Sequence, residues 1–228
     1  MINLEQYSRT KKVIGEENLK LLQKASVLIV GIGGVGGSAL EMLVRSGIGN
    51  ITLIDFDTFE ESNLNRQILS LKSNIGKYKV EVAKKRILSI NPYCNVSYYD
   101  KKLDEELIKQ LNNNYNYIID ACDDTKAKVA LVKFAIKNNI KIISSCGTGN
   151  RLKPELLKIT NIWKTEYDPL AKKIRAMLRK ENISYKLPVI CSFEKPIKTK
   201  GSVGSMALVP NYAGILLASY VINDIIEE

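Results

Sequence analysis

The sequence contains no histidine among its 228 residues. That excludes a histidine general base, a Ser-His-Asp triad and a histidine-held metal, and leaves chemistry to carboxylates, lysine, arginine, a thiol or the substrate itself. Cysteine is sparse: Cys94, Cys122, Cys146 and Cys191 form no C-x-x-C pair. Neither a zinc clip nor a disulfide scaffold is indicated, and the four read as reduced, mostly buried thiols. No unbroken apolar run is long enough to span a bilayer, and the polar N-terminus (Asn3, Glu5, Gln6, Arg9, Lys11, Lys12) lacks a signal-peptide core. A cytoplasmic protein is the expectation. Acid is in deficit: Lys+Arg 34 against Asp+Glu 24 gives a net charge of +10. A nucleotide or nucleic acid suits that charge, although a lysine-rich solvated surface accounts for it equally well.

What is present is organised around residues 27–67. Apolar runs at 27–30 and 51–54 flank a helical segment around 38–46, the spacing of a βαβ unit with parallel strands. Between them Gly31, Gly33 and Gly36 give G-x-G-x-x-G, with Gly34 inside it. Such glycines let the backbone turn tightly, approach a phosphate and pack a helix on a strand. Asp55 follows about twenty residues later at a strand's carboxyl end, where a carboxylate accepts hydrogen bonds from ribose hydroxyls. NAD and ATP both carry that ribose, and on these features alone a dehydrogenase is the commoner answer. The run Ser62-Asn63-Leu64-Asn65-Arg66-Gln67 after Asp57 is more than a dinucleotide fold requires.

With 45% hydrophobic content the chain suits one domain with appendages. Residues 1–24 read as a helical appendage, two short helices divided by Gly15 with Leu19, Leu21 and Leu22 inward. Residues 25–150 read as a nucleotide-binding core and 151–228 as a basic substrate-binding part. In the core, Lys79 lies in the first turn of a helix predicted over 77–90, a costly place for a cation against the helix dipole. Strands are predicted at 95–99, 117–121 and 140–145, and helices at 105–111 and 126–137. Asp123, past the fourth strand, suits either Mg²⁺ against nucleotide phosphates or, with Asp124, a helix cap. Beyond residue 151 come a strand at 156–162, a basic helix at 170–180, extended pieces at 189–193 and 202–209 flanking Lys195, Lys198 and Lys200, and a buried apolar helix at 212–222 bounded by Pro210 and Asn223. The fold class expected is α/β: a Rossmann-like, mostly parallel sheet with flanking helices, to which the C-terminal part adds antiparallel strands and a helix.

Tyr7-Ser8-Arg9, the glycine loop, Asp55-Phe56-Asp57, the run Ser62 to Gln67, Gly76 with Lys79, and residues 120–123 follow one another in an order and spacing that resembles the ubiquitin-activating-like adenylyltransferases, the family of the ThiF and MoeB enzymes. The resemblance implies that Gly31, Gly33, Gly34, Gly36, Asp55, Asp57, Asn63, Arg66, Gln67 and Lys79 bind ATP. Asp55 would hold the ribose, and Asn63, Arg66 and Lys79 the phosphates. It implies Mg²⁺ at Asp123, a homodimer, and Arg9 reaching across it as an arginine finger, so that Arg9, Arg66, Lys79 and Asp123 carry the catalysis. Attack of a carboxylate on the α-phosphate builds charge that Arg, Lys and Mg²⁺ stabilise without a proton-transferring histidine.

The C-terminal part narrows the branch. The paired C-x-x-C motifs usual in ThiF and MoeB enzymes are absent, whereas Lys164-Thr165, Asp168-Pro169-Leu170-Ala171 and the basic helix are similar to the tRNA threonylcarbamoyladenosine dehydratases, a likeness that runs nearly the full length. It implies that ATP activates the threonyl carboxylate beside the tRNA anticodon, and that a nitrogen of the carbamoyl linkage closes a ring with loss of water. The substrate then supplies its own nucleophile, and Cys191 is packing. Lys172, Lys173, Arg175, Arg179 and Lys180 are the expected tRNA contacts, and a sulfur-relay protein is a further partner. Two departures stand out: a shorter segment between the basic helix and Val189, and Gln6 where the family often has arginine. The alternatives are an adenylyltransferase for the C-terminal carboxylate of a ubiquitin-like sulfur carrier and a non-catalytic nucleotide-binding subunit.

Overall fold

The computed structural model describes residues 5–227, so the first four residues of the N-terminal appendage lie outside it. Seven strands, β1 (Ser26–Val30), β2 (Asn50–Ile54), β3 (Asn95–Tyr99), β4 (Tyr117–Asp120), β5 (Lys141–Ser145), β6 (Leu157–Asn161) and β7 (Pro188–Ser192), form one sheet in the order β3-β2-β1-β4-β5-β7-β6. Every pairing is parallel except that of β6 with β7. The antiparallel addition expected of the C-terminal part is thus β6 against β7, while β7 itself continues the parallel run beside β5. Helices cover both faces, which is why β1, β2 and β4 are continuous apolar runs and not alternating ones.

Alternate residues of each strand feed two cores. Val27 and Ile29 of β1 and Ile51 and Leu53 of β2 pack toward α1 (Ser8–Lys24), α2 (Gly34–Ser46), α3 (Lys79–Ile90) and α7 (Leu208–Ile226). Leu28, Val30 and Ile118 pack toward α4 (Glu105–Gln110), α5 (Thr125–Asn138) and α6 (Pro169–Lys180). Strand order reverses between β1 and β4, so the carboxyl ends of those two strands open a crevice at the switch point.

The first helix breaks at Gly15, whose φ of 84° lies outside helical space, as the two-helix expectation required. Leu19 and Leu22 are buried, but Leu21 is 43% exposed and does not share their face; one residue is a turn of about 100° on a helix. The C-terminal helix is longer than expected. It starts at Leu208, takes Pro210 into its first turn where no intrahelical N–H is needed, and runs through Asn223 to Ile226. Residues 202–207, expected to be extended, join no strand. Among the described residues α7 is the one helix long and apolar enough by length and composition to cross a bilayer. Here its small residues press it onto α2: a Cβ on Gly214 would collide with the Val35 carbonyl and stand 2.7 Å from Ser38 Cβ.

Candidate active site

Two turns make the floor of the crevice. Gly31 leaves β1 with φ +87°, and a Cβ there would sit 2.8 Å from the backbone of Ala121 and Cys122; one on Gly36 would collide with the Gly31 carbonyl. The glycine loop and the loop after β4 therefore touch backbone to backbone. Gly33 is the N-cap of α2 and makes no side-chain cap, which leaves the first amides of that helix at the crevice as a ready seat for an anion.

Asp55, just past the end of β2, accepts hydrogen bonds from the amides of Ile32 at 2.5 Å and Asp57 at 2.9 Å, which ties the glycine loop to the end of β2. Burial raises its pKa above the usual carboxylate value, against the opposing pull of Lys79 and the two amides. Lys79 is 5% exposed; its Nζ meets Asp57 Oδ2 at 2.8 Å. Arg66 donates to the Ser62 carbonyl at 2.7 Å and to Asn65 Oδ1 at 2.9 Å. Asn63 closes a reciprocal cap with Glu60 in the 3-10 turn Glu61–Asn63, which fixes the loop that carries Arg66. Gln67 is buried beside Gly33, and its Oε1 has no hydrogen-bond partner.

Of the two acids after β4, Asp124 is the helix cap. Asp124 caps α5, accepting from the amides of Lys126 at 2.8 Å and Ala127 at 3.2 Å, and pairs with Lys102 at 2.9 Å, which pulls its pKa down. Asp123 is exposed to the crevice and makes no hydrogen bond or salt bridge among the described residues. Beneath them Lys128, wholly buried on α5, binds Asp120 Oδ2 at 3.0 Å, Ser144 Oγ at 3.0 Å and the Ser145 carbonyl at 2.9 Å. Asp120 also accepts from the Cys122 amide at 3.3 Å, so this buried pair holds the turn that presents Asp123.

The crevice encloses about 370 Å³ and brings together Gly31, Gly33, Gly34, Asp55, Asp57, Asn63, Arg66, Gln67, Lys79 and Asp123. Gly36 serves packing behind the loop. Arg9 is exposed near the start of α1, where Tyr7 donates to the Val44 carbonyl at the far end of α2, and it does not line its own chain's crevice. The lining also includes Phe56, Lys101, Lys102, Thr148 and Ser205. Lys101 and Lys102 follow the carboxyl end of β3, a position from which the sequence could have placed them; Thr148 and Ser205 arrive through loops with no such signal.

On α6, Lys172, Lys173, Arg179 and Lys180 are exposed. Arg175, expected among these cations, is half-buried, and its Nη1 donates inward to the carbonyls of Ile162 and Thr165 and to Thr165 Oγ1. Nor is the trio Cys146, Asp168 and Cys191 a metal site, although its ligand atoms lie within 4.8 Å of one another. Asp168 is already committed to the amides of Ala171 at 2.8 Å and Gly147 at 2.9 Å and to Arg151 at 3.3 Å, and the guanidinium repels a cation. The neighbouring Cys191 and burial push the Cys146 thiol well up, so these thiols are packing.

With this geometry in place, the chain can be set beside known proteins. Residues 7–160 match the model of the ThiF family. The tRNA threonylcarbamoyladenosine dehydratase of Bacillus subtilis is 38% identical over 99% of this chain and 96% of its own length. The crystal structure of the Escherichia coli tRNA N6-threonylcarbamoyladenosine dehydratase in complex with AMP superposes with a TM-score of 0.93 at 33% identity, covering 98% of this chain and 94% of that one; the same protein in complex with ATP gives 0.92. The chain belongs to the ThiF family, alongside its tRNA threonylcarbamoyladenosine dehydratases.

Proposed function

We propose that this protein uses ATP to dehydrate threonylcarbamoyladenosine in tRNA. The observation that carries the reading is the crevice itself, where a helix N-terminus, Arg66, Lys79 and Asp123 surround one space without any histidine. That set suits a reaction whose barrier is phosphoryl charge and not proton transfer. ATP lies with its ribose on Asp55 and its phosphates against Gly33, Asn63, Arg66 and Lys79; that the E. coli relative forms complexes with AMP and ATP supports a nucleotide in this crevice. The orphaned Gln67 Oε1 gives the ligand a buried acceptor to satisfy. Asp123, with its carboxylate free, fits Mg²⁺, which takes one or two carboxylates and completes its shell with phosphate oxygens and water.

The threonyl carboxylate attacks the α-phosphorus, pyrophosphate leaves, and an acyl adenylate forms. A carbamoyl nitrogen then attacks the activated carbonyl and expels AMP, closing the ring one water lighter. Arg66 and Lys79 stabilise the charge on the phosphoryl oxygens and leaving group. Arg9 reaches the site only from a second copy in a homodimer, since it lies at the wrong end of α2 in its own chain. The exposed cations of α6, Lys172, Lys173, Arg179 and Lys180, face the tRNA backbone, and a tRNA substrate puts the reaction in the cytoplasm. Incubation of purified protein with ATP, Mg²⁺ and tRNA bearing threonylcarbamoyladenosine should yield a nucleoside lighter by one water on mass spectrometry. An unchanged nucleoside would sink the assignment.

A further inference from the structure

Between β7 and α7 the chain runs as a segment that belongs to neither core and reaches the crevice at Ser205, and one side chain holds its middle. Asn150 stands in left-handed backbone with φ 57°, a conformation asparagine tolerates. All four of its polar groups reach the segment: its amide donates to the Gly204 carbonyl at 2.8 Å, its carbonyl accepts from the Ile197 amide at 2.8 Å, its Oδ1 accepts from the Gly204 amide at 2.6 Å and its Nδ2 donates to Thr199 Oγ1 at 3.2 Å. The neighbouring Gly149 leaves room for Val203, whose Cγ1 a Cβ at that position would strike. The ends are fixed separately. Arg151 holds the Glu194 carbonyl, Glu194 Oε2 accepts from the Lys153 amide at 2.9 Å, and Asn65 Nδ2 donates to the Ser205 carbonyl at 2.8 Å. The loop that offers Arg66 to the crevice thus also holds the strap.

The strap is basic. Lys195 sits over the Tyr167 ring at 5.4 Å, while Lys198 and Lys200 are exposed and have no carboxylate within salt-bridge distance among the described residues. Free cations on a segment pinned through the backbone of Glu194, Ile197, Gly204 and Ser205, the last of which lines the crevice, point to a polyanion lying along it. We propose that residues 194–206 are a strap for the substrate RNA strand, and that Asn150 is the positioning residue that clasps it over the ATP site. This rests on the tRNA reading above and names the surface that reading lacks at the crevice.

The test is steady-state dehydration of threonylcarbamoyladenosine tRNA by the full-length protein across a salt series, with ATP binding measured separately by a fluorescent ATP analogue. Asn150→Gly keeps the left-handed backbone and its two main-chain bonds but removes both side-chain bonds. At about 1 kcal/mol for each neutral bond lost, the KM for tRNA should rise about tenfold or more, with kcat and ATP affinity within about twofold. Lys198→Gln with Lys200→Gln removes charge from an exposed stretch without touching the clasp, and should flatten the slope of log(kcat/KM) against log[salt] by about 0.7–0.9 for each lysine. If wild-type protein dehydrates the tRNA while both variants keep its KM and salt slope, the strap is overturned and the parent reading stands. If Asn150→Gly loses ATP affinity in parallel, the clasp supports the fold in general, and the proposal also fails. Absence of turnover in wild-type protein overturns both.

Discussion

Lys79 pairs with Asp57 at 2.8 Å. Asp57 keeps 48% of its side chain in contact with solvent and Lys79 only 7%, so water reaches the pair on the acid side alone. On the proposed reading a phosphate takes over the ammonium and replaces one anion by another, and Arg66 leaves only a carbonyl and a neighbouring amide oxygen. Lys79→Ala and Arg66→Ala should each lower turnover by about 10²–10³-fold while the urea midpoint stays near that of wild type; a loss of about ten-fold or less would remove them from the phosphate site. Asp55 provides a pH test. Burial raises its pKa, so it takes up a proton at higher pH than an ordinary carboxylate, and ATP affinity should fall as pH is lowered through that range. The limb is not unfolding: a group whose folded pKa is raised contributes stability below its unfolded pKa and loses it as pH rises. Asp55→Asn should bind ATP weakly with that limb removed, and an unaltered limb by fluorescence titration would assign it to another group.

At the scale of elements, the close approach of α7 to α2 is set by Gly214, which faces backbone atoms of Val35 and Ala39. Gly214→Ala should therefore destabilise by about 1–3 kcal/mol or more in urea unfolding, because backbone cannot yield as a side-chain tip does; a neutral result would mean that the two helices are loosely seated. Much of this level was legible. The βαβ spacing, the break at Gly15 and strand β3 follow from period and punctuation alone, and the acid after β4 was placed correctly at the crevice. Where reading failed, tertiary bonds had overridden local pattern. Val203, Ala207 and Val209 suggest a strand, but Ile197, Gly204 and Ser205 give their backbone groups to Asn150 and Asn65, and the segment joins no ladder. Arg175 looks like one more cation on α6, and only the position of the Thr165 turn sends it inward. In sequence Asp123 suits Mg²⁺ or, with Asp124, a helix cap; the register of α5 makes Asp124 the cap.

The whole molecule separates its tasks along the sheet. The switch point between β1 and β4 holds a nucleotide crevice built almost entirely from residues before position 125, while the cations that suit RNA come from α6 and the segment after β7. The chemistry joining those halves is transfer of AMP to a carboxylate carried by tRNA. Its most direct measurement follows one oxygen atom. With tRNA whose threonylcarbamoyladenosine carboxylate carries the heavy oxygen isotope, attack on the α-phosphorus leaves one labelled oxygen bridging carbonyl and phosphorus, and ring closure delivers it to AMP. Mass spectrometry of the nucleotide product should show one heavy oxygen in AMP for each ring closed. Unlabelled AMP, or ADP with phosphate in place of AMP with pyrophosphate, would contradict activation at the α-phosphate.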